Sequence, residues 1–81
     1  MSLRLQPVQI ATKSDGTESL LVFTDGFLVA VLVRLSAQHE DEAGKWFLEA
    51  GFGPVSDPRP PVFLNLNMAQ DWIEQRLRHA A

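Results

Sequence analysis

Eighty-one residues, 46% of them hydrophobic, with a formal net charge of −3 make one domain with no room for a second core. By surface scaling such a chain buries only roughly 63% of its extended-chain surface. Without cysteine, neither disulfides nor thiolate metal sites can staple it, so oligomerisation is the device left. The acidic balance argues mildly against a phosphate-backbone partner, and no stretch approaches the roughly 20 apolar residues that a membrane helix needs.

The segment from Met1 to Pro7 lacks the apolar stretch of a signal peptide, and a cytoplasmic location is expected. A first strand is predicted over about residues 8–13, ended by Asp15-Gly16 acting as a two-residue turn. That turn sets Lys13 opposite Glu18, Thr12 opposite Ser19, Ala11 opposite Leu20, Ile10 opposite Leu21 and Val8 opposite Phe23. An opposite-charge pair, a hydroxyl pair and matched apolar pairs fall into register together.

A second Asp-Gly pair, Asp25-Gly26, interrupts an almost unbroken apolar run and predicts a hairpin joining strands over about residues 19–24 and 27–35. A simple two-residue turn pairs Phe23 with Leu28, Leu21 with Ala30 and Ser19 with Leu32. Val22 then meets Val29, and Leu20 meets Val31. One surface, with Val8, Ile10, Leu21, Phe23, Leu28, Ala30 and Leu32, reads as the core. The opposite surface carries Leu20, Val22, Phe27, Val29, Val31, Val33 and Leu35 behind a polar margin of Gln9, Lys13 and Glu18. Neither side of the third strand is polar before Arg34, and a strand apolar on both sides needs cover on both sides.

Residues 37–44 form a polar connection to a fourth strand over about residues 45–50. Gly51-Phe52-Gly53-Pro54 ends that strand, and Pro54, Pro58, Pro60 and Pro61 keep the next segment irregular. Val62-Phe63-Leu64 adds a short edge piece. Leu66, Ala69, Trp72, Ile73 and Leu77 then recur at helical spacing, predicting a helix over about residues 66–79. Asn65 is its N-cap with Leu64 and Ala69 as a hydrophobic staple, and Asn67 with Gln70 is the competing capping box. Arg76, Arg78 and His79 sit where the helix dipole favours cations.

The expected fold is therefore α+β, a meander of four antiparallel strands with one C-terminal helix packed on one face. Trp72, Ile73, Leu66 and Leu77 are expected to meet Ile10, Leu21, Phe23, Leu28 and Leu32. A helix about 10 Å wide covers only part of a sheet whose four strands are spaced at roughly 4.8 Å. A second copy, the chain's own Leu3/Leu5 segment and proline loop, or a different protein would each cover the second face. The homodimer is the expected arrangement, with Phe27, Val29, Val31 and Val33 as its interface.

Chemistry is sparse. His39-Glu40-Asp41-Glu42 gathers ligand atoms on consecutive loop residues without a zinc or calcium spacing, and reads as a solvated acidic turn. His39 and His79 are the only histidines, and Ser14, Ser19, Ser36 and Ser56 show no nucleophile-elbow context. Asp71 and Glu74 read as solvent-facing helix charges, and Glu49 as an exposed strand position beside Lys45. No catalytic residue, metal or cofactor is expected. Two alternatives to an association module remain. Trp46, Phe47, Trp72 and Phe63 with Arg34, Lys45 and Lys13 would serve single-stranded nucleic acid. The glycine amides of Gly51–Pro54 would serve a small ligand, although the strand-to-helix context and lysine of a phosphate loop are missing.

The stretch Gly44-Lys45-Trp46-Phe47-Leu48-Glu49-Ala50-Gly51-Phe52-Gly53-Pro54, followed by Phe63 and by Ala69, Trp72 and Ile73, resembles small bacterial proteins of uncharacterised function. The resemblance covers about the C-terminal two-thirds and implies no activity or site residue.

Overall fold

The computed structural model of the chain describes residues 2–9, 18–35, 41 and 43–79. Its strands are β1 (Arg4–Val8), β2 (Ser19–Thr24), β3 (Phe27–Arg34), β4 (Trp46–Gly51) and β5 (Val62–Phe63). They form one antiparallel meander in chain order, followed by α1 (Leu66–Arg78). The α+β architecture read from the sequence is present, and the short piece at Val62-Phe63 makes the sheet five-stranded rather than four-stranded.

The β2–β3 hairpin turns where Asp-Gly places it. Asp25 lies at φ 51° and Gly26 at φ 83°, the pair of positive values that a type I′ turn requires. Phe23 pairs with Leu28 as expected, but Val22 pairs with Ala30, Leu21 with Val31 and Leu20 with Leu32. Val29 is thus an extra residue in β3, a β-bulge. Because side chains alternate with period two, one extra residue turns the rest of β2 over relative to β3. Leu20 and Val22 therefore join Ala30 and Leu32 in the core, and Leu21 and Phe23 face the other way. The expected core grouping of Leu21, Phe23 and Leu28 with Ala30 and Leu32 is corrected accordingly.

The first strand is also displaced. β1 pairs Arg4 with Phe23, Leu5 with Val22 and Val8 with Ser19, four residues away from the register that Asp15-Gly16 would set. That turn and the predicted strand residues 10–13 lie outside the described residues, while Ser19, Leu20 and Leu21, expected to face Thr12, Ala11 and Ile10, pair with Val8, Pro7 and Gln6. The gain is hydrophobic: Leu3 and Leu5 pack against the core cluster, which the local turn signal could not anticipate. Glu18, expected opposite Lys13, instead meets Arg34 at 3.0 Å, and its carbonyl accepts the Arg34 amide at 2.8 Å.

β4 returns along β3 with a second bulge. Ala50 pairs with Val31 and Leu48 with Leu32, leaving Glu49 as the extra, exposed residue. After β4 the chain folds a single 3₁₀ turn, Gly53–Val55, back over Gly51, and Val55 becomes fully buried. A Cβ built on Gly51 would run into the backbone carbonyl of Val55, so only glycine permits this close approach.

Ala69 and Ile73 of α1 are fully buried against Leu20, Val22, Ala30, Leu32, Leu48 and Val55, with Leu66, Trp72 and Leu77 packed around them. Trp72 tilts against Phe63 at 5.5 Å between ring centroids. Asn65 is the N-cap: its Oδ1 accepts the Met68 amide at 2.9 Å. The expected staple does not form, because Leu64 is 63% exposed while Ala69 is buried. At the other end the His79 amide donates to the Gln75 carbonyl, and Arg78 reaches Glu74 at 3.4 Å.

Candidate association surface

Strand alternation divides the sheet cleanly. Leu5, Val22, Ala30, Leu32, Leu48 and Phe63 point toward α1. On the opposite face Leu21, Val31, Val33 and Phe47 stand side by side across the three central strands, each partly exposed and none packed against the core cluster. Phe23 and Leu28 extend this face toward the hairpin turn, and Val62 extends it along β5. β2 and β3 place no charged side chain on it, whereas the bulge in β4 sets the exposed Glu49 beside Ala50, opposite Val31, on this face. On β1 the Arg4 guanidinium lies over the Phe23 ring at 5.0 Å.

The four residues expected to form an interface are distributed unequally. Val31 and Val33 lie on the open face. Phe27 is 73% exposed beside the Asp25-Gly26 turn, at the margin rather than the centre. Val29 is only 7% exposed and belongs to the core cluster, because the bulge turns it inward. Leu21 and Phe47 take the places that alternation without a bulge had given to other residues. They were legible as apolar strand positions, but the sequence carries no mark of the extra residue that selects them.

The aromatic side chains expected to stack on nucleic acid do not share an exposed platform. Trp46 and Phe63 are buried on the helix side, at 7% and 6% exposure. Trp72 meets Phe63 and also the Arg76 guanidinium, which lies 4.8 Å from its ring centroid. Only Phe47 of the four lies on the open face. Arg34 is engaged by Glu18, and Lys13 lies outside the described residues.

Backbone hydrogen bonds tie the chain at and just after the Gly51–Pro54 loop. Phe52 donates to the Val29 carbonyl at 3.0 Å, Val55 to the Phe52 carbonyl at 3.2 Å and Ser56 to the Gly53 carbonyl at 3.1 Å. Pro54 has no amide hydrogen to offer. What the loop does is dock the helix. Asp57 Oδ2 accepts from Arg76 at 2.9 Å and the Ser56 carbonyl accepts from the same guanidinium at 3.3 Å.

Of the acidic run His39–Glu42 only Asp41 is among the described residues, and it is exposed. Among the described residues no three potential ligands gather into a metal site, and no helix is long and apolar enough to cross a membrane. No family model, curated protein or solved structure matches the chain, so the functional reading rests on its own geometry.

Proposed function

We propose that the chain works without catalysis, as a cytoplasmic association module whose partner is a second copy of itself. One observation carries this reading: Leu21, Val31, Val33 and Phe47 form a contiguous apolar surface on the side of the sheet away from α1. Each is partly exposed and so forgoes part of the roughly 1.5–3 kcal/mol that full burial of a Val or Leu supplies. Monomers rarely expose such side chains in a continuous patch. A chain this short, with no cysteine, gains its missing burial most directly from another molecule.

Light scattering at tens of micromolar tests the reading. The expected mass is twice that of the 9.0 kDa chain. Val31→Asp is expected to halve it while circular dichroism still reports the fold, because pairing would bury a carboxylate with no partner. A wild-type chain that keeps the mass of one copy overturns the reading.

A further inference from the structure

We draw no further inference here: the strongest candidate, the open apolar face of the sheet around Val31 and Val33 with the exposed Glu49 beside them, carries nothing beyond the self-association already proposed, because nothing in the structure shows what covers it.

Discussion

Gly51 shows how much of this fold hangs on a missing methyl group. The Val55 carbonyl lies where a side chain would begin, and that contact lets the 3₁₀ turn close over the sheet and bury Val55. Backbone cannot yield as a flexible side chain does. Gly51→Ala is therefore expected to cost about 2 kcal/mol, in the range of overpacked cores, read as a lower urea midpoint. Thr24 makes the opposite case. Its Oγ1 is buried, with no hydrogen-bond partner among the described residues. Thr24→Val keeps the shape and removes the stranded hydroxyl, and is expected to raise stability by about 1 kcal/mol in the same assay.

At the scale of elements, α1 is held by two different kinds of contact. Ala69 and Ile73 supply the apolar anchor, while Arg76 ties the last turn to the proline segment through Asp57 and Ser56 and covers the Trp72 ring. Both partners of the ion pair are part-exposed, so solvent screening keeps the coupling small. A double-mutant cycle with Arg76→Ala and Asp57→Ala is expected to give about 0.5–1 kcal/mol. The helix and its cap were legible because periodic Leu66, Ala69, Ile73 and Leu77 and the side chain of Asn65 each act locally. The Asp25-Gly26 turn was legible for the same reason. β1 was not, since Asp15-Gly16 is a local signal, whereas the burial of Leu3 and Leu5 that sets the observed register is tertiary. The bulge at Val29 was hidden by composition. With apolar residues on both sides of β2 and β3, either facing buries hydrophobic surface, and no polar side chain marks the wrong one.

For the whole molecule, the second apolar face of the sheet was legible even though its membership was not. Leu20, Val22 and Val29 moved to the core, while Leu21 and Phe47 took their place beside Val31 and Val33. A face that is uncovered in one copy couples stability to concentration once two copies pair. The thermal midpoint is therefore expected to rise as the chain is concentrated, and calorimetry at two concentrations tenfold apart reads that shift directly. Val31→Asp is expected to flatten the dependence.

The extra residue in β3 makes the length of that strand a heritable quantity in its own right. Exchange among Val, Ile and Leu there preserves which side is wet and which is dry. The loss of Val29 would straighten the ladder while leaving Val22 opposite Ala30 and Leu21 opposite Val31, so each face keeps its members and only the buried Val29 side chain is lost. Variation in this hairpin is thus expected to be permissive in spelling, and tolerant in count at Val29 alone, at the cost of that side chain's burial.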